Sequence, residues 1–395
     1  ILRFSKTSTQ QNQDSDYNMP SSSGPNQTGE ENLVFAYDVG DVKNSYRGEP
    51  TTNVATGTLY PYTPYNTMTR EGQNLTFNMV GGSALYLTVH NGTNYNGQII
   101  TLSGYMFKNG IPYTLPYNRA NTYHTVAATK WYFDNITGYF EIVENCNASS
   151  VWLFHTPSGA NGGDVITIRD FQVEVKSHAT PLTTGTRSST EGLIDLTGNS
   201  SIDLSNVSFD SNAQMVFDGT DDYFTTSTTA PSLQGNSTFS VEGVFRRNGN
   251  ILQQGFWGIG GGTTLQGICS WNYILTNEIG IDLWGTSTYG TGQTYSSAEW
   301  KHIVWTYNGT SFTTSNISIF VNGVKYTGGN LITRRGGSGT PNINNTGITV
   351  GRINSNTSGY HANGQVPVFK AYNKILSDNE VKQNYQQYKT RFNLS

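Results

Sequence analysis

Apolar and polar residues alternate over short runs along most of this chain, and turn-forming residues separate the runs. The clearest run is VITIRDFQVEV at 165–175, where the apolar positions fall near one face with a shift at Arg169-Asp170. This alternation predicts a half-buried β-strand, and the shift predicts a β-bulge. Similar runs occur at 75–79, 84–89, 98–107, 131–133, 139–143 and 151–154. Short strands at this spacing predict a β-sandwich.

A second series of short apolar runs follows a polar linker, SHATPLTTGTRSST at 177–190. The strands predicted in this series cover 214–217, 223–225, 237–245, 255–259, 268–275, 278–283, 301–307, 317–321, 348–350 and 366–372. One of the turns, FVNGV at 320–324, predicts a hairpin closed by an Asn-Gly type I′ turn. The pattern therefore predicts an all-β chain with two β-sandwich domains.

One segment near the end of the chain predicts a helix. Ser377 and Glu380 form a capping-box pattern, in which the side chain of each residue bonds the backbone amide of the other. Val381, Tyr385 and Tyr388 then recur at helical spacing. We expect a short C-terminal helix that packs this apolar stripe onto the second sandwich.

Composition narrows the possible partners. Charged residues make up 13% of the 395 residues and the net charge is −4, which gives no sign of a nucleic-acid-binding surface. Because no long apolar run occurs, we expect no membrane insertion. The two cysteines, Cys146 and Cys269, predict neither a disulfide scaffold nor a cysteine-ligated zinc site. Residues 1–30 are polar and lack a signal-peptide pattern, so we expect an extended arm that becomes ordered against a neighbouring subunit.

An acidic turn lies in MVFDGTDDYF, at residues 215–224. Asp-Gly between two strand-like runs predicts a hairpin or another tight turn, because glycine adopts positive φ without penalty. Asp218, Asp221 and Asp222 place three carboxylates within five residues. The cluster is compatible with a calcium site, with a catalytic site or with a solvated turn. The turn is the favoured interpretation, and calcium is the possible cofactor.

A pair of carboxylates on one strand would indicate a glycoside hydrolase. Retaining hydrolysis needs two carboxylates about 5 Å apart across the scissile bond. No Glu-x-Asp-x-x-Glu strand occurs, and both Glu242 and Glu174 stand alone in their strands. Glu141 and Glu144 are three positions apart, which puts them on opposite faces of a strand. We therefore expect the protein not to be an enzyme.

Aromatic residues are the other route to sugar binding, because flat rings stack on sugar faces. The alternative role for each ring is packing in a core or in a subunit interface. The candidate carbohydrate-binding residues are Trp257, Trp271, Tyr273, Trp284 and Tyr289 in the later series, with Trp131 and Tyr132 in the earlier one.

Seven blocks in a fixed order carry a family resemblance. They are GLIDLTGNSSIDLSN (192–206), MVFDGTDDYF (215–224), FSVEGVFRR (239–247), EWKHIVWTYNG (299–309), ISIFVNGVKY (317–326), ITVGR (348–352) and VFKAYNKILSDNEVKQNYQQYKTRF (368–392). Through these blocks, residues 193–392 resemble the laminin-G-like, concanavalin-A-like jelly-roll domains of phage virion structural proteins.

The same resemblance predicts that this domain is interrupted. LVFAYDVGDVKNSYRG at 33–48 looks like the segment that directly precedes the DLTGN block in that family. We therefore expect 31–48 to hold the first strand of the lectin-like domain, which resumes over 187–395. The intervening residues, 50–185, resemble a carbohydrate-binding-module or galactose-binding-like β-sandwich, through residues 100–108, 129–143 and 165–188.

The resemblance implies a non-enzymatic virion structural and adhesion protein, such as a phage fibre, decoration or appendage subunit. Its location would be the virion surface. Its partners would be other virion proteins, copies of itself and a host-surface glycan. Two alternatives stay open: a free, calcium-assisted carbohydrate-binding lectin, and a glucanase-like polysaccharide depolymerase.

Overall fold

The computed structural model describes residues 30–56, 59–61, 66–80, 84–89, 93–115, 129–146, 151–157, 160–249, 254–272, 278–294, 298–337, 339–354 and 359–395. The chain divides into two compact units. The first unit contains the described residues up to Gly48 together with 189–210 and 214–395, and the second contains 49–188 with 211–213.

The first strand, β1 (Leu33–Asp38), belongs to the first unit. The strands of the second unit follow it in the chain: β2 (Thr51–Thr52), β3 (Leu59–Pro61), β4 (Asn66–Glu71), β5 (Asn74–Met79), β6 (Ala84–Val89), β7 (Ile99–Lys108), β8 (Ile111–Pro112), β9 (Lys130–Phe133), β10 (Tyr139–Asn145), β11 (Val151–Pro157), β12 (Val165–Glu174) and β13 (Thr186–Arg187).

The remaining elements belong to the first unit. They are β14 (Ser208–Phe209), β15 (Met215–Asp218), β16 (Phe224–Thr225), β17 (Phe239–Arg247), β18 (Trp257–Gly260), β19 (Gly267–Asn272), β20 (Glu278–Leu283), β21 (Ser287–Thr294), β22 (Trp300–Tyr307), β23 (Ile317–Val321), β24 (Val324–Thr327), β25 (Ile332–Arg335), β26 (Ile348–Val350), β27 (Asn363–Tyr372) and the helix α1 (Asp378–Phe392). Short 3-10 turns cover Glu30–Asn32, Val54–Thr56, Pro231–Leu233, Thr314–Asn316 and Gly328–Asn330.

The main sheet of the second unit is antiparallel, with the strand order β4-β5-β12-β7-β10-β9 and with β8 paired to β7. Its core side carries the alternate apolar residues of each strand, including Phe77, Leu102, Ile142 and Ile166. A register shift against β7 interrupts β12 after Arg169, which confirms the predicted bulge. Because of this bulge, Arg169 and Asp170 both lie on the face of the sheet that points away from the core.

The first unit is a sandwich of two antiparallel sheets. One has the order β14-β15-β27-β17-β22-β23-β24, and β1 also pairs with β27. The other has the order β16-β26-β18-β19-β20-β21-β25. Residues of both sheets share one core, in which Trp305 lies 5.3 Å from Trp257 and 5.4 Å from Phe245 between ring centroids. The all-β architecture, with its short C-terminal helix, confirms the fold class expected from the sequence.

The helix α1 begins as the sequence predicts. Ser377 accepts the amide of Glu380 and Glu380 accepts the amide of Ser377, which completes the capping box. The buried face of the helix packs Tyr388 and Phe392 against Trp300 of β22. In the described residues, no helix has both the length and the apolar character needed to cross a membrane.

The acidic turn of residues 215–224 does not close a hairpin, so that part of the expectation was wrong. Phe217 pairs with Gly364 in one sheet, whereas Phe224 pairs with Val350 in the other. The Asp-Gly signal predicts a chain reversal, but it does not determine which strands pair. Here the turn carries the chain from one layer of the sandwich to the other.

Candidate functional site

Three tyrosines lie on the face of the second unit's main sheet that points away from its core. Tyr139 of β10 lies directly opposite Tyr105 of β7, and Tyr132 of β9 lies opposite Glu141 of β10. Because directly paired residues share a face, these side chains lie on one surface, while Phe140 and Ile142 fill the core. We call Tyr105, Tyr132 and Tyr139 the tyrosine row.

The rings of the row contact one another while each stays partly exposed. The centroids of Tyr105 and Tyr139 are 5.6 Å apart with an interplanar angle of 64°, and those of Tyr132 and Tyr139 are 6.3 Å apart. Burial, and after it the charge of Glu141, raises the pKa of Tyr139 well above its usual value. Burial and then the charge of Asp170 raise the pKa of Tyr105. Both hydroxyls therefore keep their protons and remain hydrogen-bond donors at neutral pH.

The bulge of β12 adds two charged residues to the end of this row. Ile168 and Phe171 both lie in the core, 0% and 1% exposed. The two residues between them, Arg169 and Asp170, therefore both lie on the side away from the core. In a regular strand, consecutive side chains would lie on opposite faces. Arg169 lies opposite Tyr105 in the register, and Asp170 adopts a φ of 52°.

Gly104 makes room for this bulge. A Cβ atom at position 104 would lie 2.8 Å from the carbonyl oxygen of Arg169 and 3.4 Å from that of Asp170. The neighbouring obstacle is backbone, which cannot rotate away as a flexible side chain can. A residue larger than glycine would push the bulge out of place and move both charged side chains.

The charged groups of the bulge are not bonded to each other. The guanidinium of Arg169 lies over the Phe107 ring, 4.6 Å from its centroid, in a cation–π contact. In the described part of the chain, the guanidinium and the carboxylate of Asp170 make no hydrogen bond or ion pair with each other. Both groups are therefore available to a ligand that lies on the tyrosine row.

The other border of the row is fixed by buried carboxylates. Glu141, 6% exposed, accepts Nζ of Lys130 at 2.6 Å and the backbone amide of Ala179 at 3.1 Å. Glu174, 0% exposed, accepts the hydroxyl of Thr51 at 2.7 Å and the amide of Thr180 at 3.0 Å. These bonds hold the segment after β12 against the outer face of the sheet. This segment therefore forms the second border of the tyrosine row.

Of the candidate aromatics predicted in this unit, only Tyr132 belongs to the row. Trp131 packs against the core and contacts Phe133 at 5.6 Å between centroids. Tyr105, Tyr139, Arg169 and Asp170 were not predicted as site residues. The only sequence signal for them was the shift in alternation at Arg169-Asp170, which marked a bulge but not its neighbours across the sheet.

Among the side chains that the structure describes, the aromatic candidates of the first unit are not gathered into one site. Trp257 is 0% exposed and Tyr289 is 5% exposed, so both rings belong to the core and cannot contact a sugar. Trp284 is half-buried, and its ring lies 6.5 Å from that of Tyr360, which is exposed. The backbone of Trp271 lies in β19, but its side chain and all of Tyr273 lie outside the described residues.

The acidic turn organises its own backbone. Oxygen atoms of Asp218, Asp221 and Asp222 lie within 4.8 Å of one another. Asp218 accepts the amide of Thr220 at 2.7 Å, and Asp222 accepts the amide of Asp218 at 2.9 Å. Burial raises the pKa of Asp222. These contacts account for two of the three carboxylates as supports of the turn.

Glu242, the isolated acid of β17, is sealed beneath α1. Its carboxylate accepts the hydroxyl of Tyr372 at 2.8 Å and Nδ2 of Asn384 at 3.1 Å, and it lies 2.9 Å from Nε2 of His302. Both Glu242 and His302 are 0% exposed. No substrate can reach this carboxylate, so its role is structural.

Sequence reasoning missed one acidic pair. Glu278 and Asp282 are four positions apart on β20, so both leave the same face of the strand. Nε of Arg334 lies 3.1 Å from both oxygens of Glu278, and Nη2 of Arg335 lies 2.7 Å from Asp282. The two acids are only 1% and 3% exposed. Each carboxylate is thus buried and engaged by an arginine.

Comparison with protein-family models and with curated proteins gave no match. Solved structures that resemble the chain include domain 4 of a GH43 extracellular arabinanase from Geobacillus stearothermophilus, with a TM-score of 0.35 and 13% identity over 49% of this chain and 91% of that one. Trypanosoma rangeli sialidase matches with a TM-score of 0.39 and 10% identity over 82% of this chain and 62% of that one. A Ruminococcus gnavus sialidase carbohydrate-binding module matches with a TM-score of 0.31 and 12% identity over 40% and 91%. Likenesses this distant carry no argument about a site.

Proposed function

We propose that the protein is a non-enzymatic virion-surface protein that attaches to host-surface glycans through the tyrosine row of its second unit. The observation that carries glycan binding is the row itself, in which three partly exposed rings lie on one face of a sheet. Aromatic rings present flat apolar surfaces, and hydroxyls at their edges can bond a polar ligand. A saccharide offers the matching combination of an apolar face and a polar rim.

The support for a virion role is the ordered series of blocks in residues 193–392 and its resemblance to phage virion jelly-roll domains. A fibre, decoration or appendage subunit is present in many copies on a particle. Weak sites on such copies act together, because the first attachment raises the effective concentration of the others. Other virion proteins and further copies of this chain are the partners that this role requires.

A glycan array tests the binding half of the proposal. The purified full chain should bind at least one class of oligosaccharide on the array. The variant Tyr105→Ala/Tyr139→Ala should lose this binding. Tyr360→Ala, which removes an exposed ring of the first unit, is the matched control and should bind as the natural chain does. Retention of every signal by the double variant would count against the row.

Immunogold electron microscopy tests the virion half. Antibodies against the full chain should label particles that carry it at a fixed position in many copies. Label found only in the soluble fraction, with glycan binding intact, would favour the free lectin over the virion component.

A second candidate, the polysaccharide depolymerase, is favoured only by the same-face pair Glu278 and Asp282. The ion pairs of both acids with arginines argue against a depolymerase, because a general acid or nucleophile must reach the scissile bond. Reducing-sugar release from host polysaccharide, abolished in Glu278→Gln and unchanged in Glu299→Gln, which alters an exposed acid of the same unit, would establish this alternative.

A further inference from the structure

Charges of both signs border the tyrosine row: the cations are Arg169 and Lys130, and the carboxylates are Asp170, Glu141 and Glu174. Arg169 and Asp170 leave the same bulge with opposite charges, and on the other border Lys130 is paired with Glu141 at 2.6 Å. An anionic ligand near Arg169 would also meet Asp170, whose charge already reaches the hydroxyl of Tyr105. The surface therefore disfavours an anionic ligand.

The two free groups of the bulge have complementary hydrogen-bonding chemistry. A guanidinium only donates, and an ionised carboxylate only accepts. An alcohol hydroxyl can do both, so two neighbouring hydroxyls can accept from Arg169 and donate to Asp170 at the same time. Hydrogen bonds to charged groups are also stronger than those between neutral groups.

The position of the bulge sets the direction in which a sugar would lie. Arg169, Tyr105 and Tyr139 occupy three adjacent strands at one level of the sheet. Adjacent strands are about 4.8 Å apart, so this line spans roughly 10 Å. A sugar ring stacked on Tyr105 would have the bulge at one edge and the tilted ring of Tyr139 at the other.

From these observations we infer that the site takes a neutral saccharide. Its adjacent hydroxyls are recognised by Arg169 and Asp170, its face stacks on the ring of Tyr105, and the tilted ring of Tyr139 contacts its edge. The inference rests on the proposed glycan binding and adds the ligand class and the residues that select it. Arg169 and Asp170 are thereby specificity-determining residues that the sequence motifs do not identify.

Isothermal titration of the full chain tests this with defined probes. The neutral probes are lactose, maltotriose and cellotriose, and the acidic probes are trigalacturonate and sialyllactose. Each is titrated at about 50 mM and about 500 mM NaCl, which spans weak to strong charge screening. The variants are Arg169→Gln, Asp170→Asn and the control Arg47→Gln, which removes an exposed arginine of the first unit.

The inference predicts binding of a neutral probe with an affinity that salt leaves unchanged within about twofold. Arg169→Gln and Asp170→Asn should each weaken it by about tenfold or more, and Arg47→Gln should leave it unchanged. Asparagine tolerates the positive φ of position 170, so the second variant should keep the bulge. An unchanged melting temperature would confirm that both variants fold.

Two results would overturn the inference while leaving glycan binding intact. One is preference for an acidic probe, with an affinity that falls as salt rises. The other is a neutral probe whose affinity is unchanged in both bulge variants but lost in Tyr105→Ala/Tyr139→Ala. If neither these probes nor a glycan array gave any binding to the natural chain, the proposed function itself would fail, and the inference with it.

Discussion

Glu242 and His302 face each other across two paired strands with 2.9 Å between carboxylate oxygen and ring nitrogen, and neither side chain is exposed. The same carboxylate reaches Tyr372 of β27 and Asn384 of α1. One buried acid thus ties the helix to the sheet beneath it. A buried charge of this kind is costly to leave without its partners.

Removing that acid should destabilise the first unit. Glu242→Ala leaves His302 and the two other donors without their acceptor, and we expect a loss of roughly 3–5 kcal/mol in the free energy of unfolding. Glu242→Gln keeps an acceptor oxygen and should lose less. Chemical denaturation followed by tryptophan fluorescence measures both variants. Equal stability of Glu242→Ala and the natural chain would contradict this role.

Acid should weaken both units through their buried carboxylates. Burial alone would raise the pKa of Glu242, but His302, Lys370 and Tyr372 outweigh it and hold the pKa below its usual value. In the same way, His178 and Lys176 outweigh burial and lower the pKa of Glu49. A carboxylate with a lowered pKa in the folded state contributes stability above its unfolded pKa of about 4.3, and this is lost as the pH falls through the folded value.

The melting temperature should therefore be level above about pH 5 as far as these two acids are concerned, and it should fall below about pH 4.3. The fall should be shallower in Glu242→Gln, which has no carboxylate to protonate at that position. Differential scanning calorimetry across this range measures both curves. Parallel curves for the two proteins would show that Glu242 does not contribute.

Gly104 offers a test of the bulge. Gly104→Ala places a Cβ atom 2.8 Å from the carbonyl oxygen of Arg169, in a backbone with a φ of 155°. We expect a cost of roughly 1–3 kcal/mol and a weaker affinity for saccharide, because Arg169 and Asp170 must move. Gly185→Ala is the matched control, since no atom lies within 4 Å of the added Cβ. If Gly185→Ala were as unstable as Gly104→Ala, the contact with the bulge would not be the cause of the lost stability.

The acidic turn should hold its shape without a metal ion. Backbone amides already donate hydrogen bonds to the carboxylates of Asp218 and Asp222. We therefore expect the melting temperature to be the same in calcium and in chelator. A rise with added calcium that disappears in Asp221→Asn would instead identify a calcium site and favour the calcium-assisted lectin. Thermal-shift titration distinguishes the two results.

Local signals in this sequence were reliable where one short segment determines the outcome. The capping box of Ser377 and Glu380 was confirmed, and the Asn322-Gly323 turn was confirmed by positive φ at both residues and by the pairing of β23 with β24. The bulge at Arg169-Asp170 was visible for the same reason, since a break in alternation is itself a local feature. Each of these depends on residues a few positions apart.

The tyrosine row could not be predicted, because it depends on register between distant strands. Tyr105 and Tyr139 become neighbours only when β7 pairs with β10, and Arg169 joins them only when β12 pairs with β7. Trp257 shows the converse difficulty. An aromatic residue in a glycine-rich stretch suits a ligand site and a core equally well, and only the packing of two sheets against each other places this ring inside.

The most direct test of the account is the affinity of one oligosaccharide, chosen as the strongest on the array, for three proteins measured by titration calorimetry. The account predicts that Tyr139→Ala binds about three- to tenfold more weakly than the natural chain, which is the contribution of one aromatic contact, and that Tyr360→Ala binds equally well. Full affinity in Tyr139→Ala, with loss in Tyr360→Ala, would contradict it and move the site to the first unit.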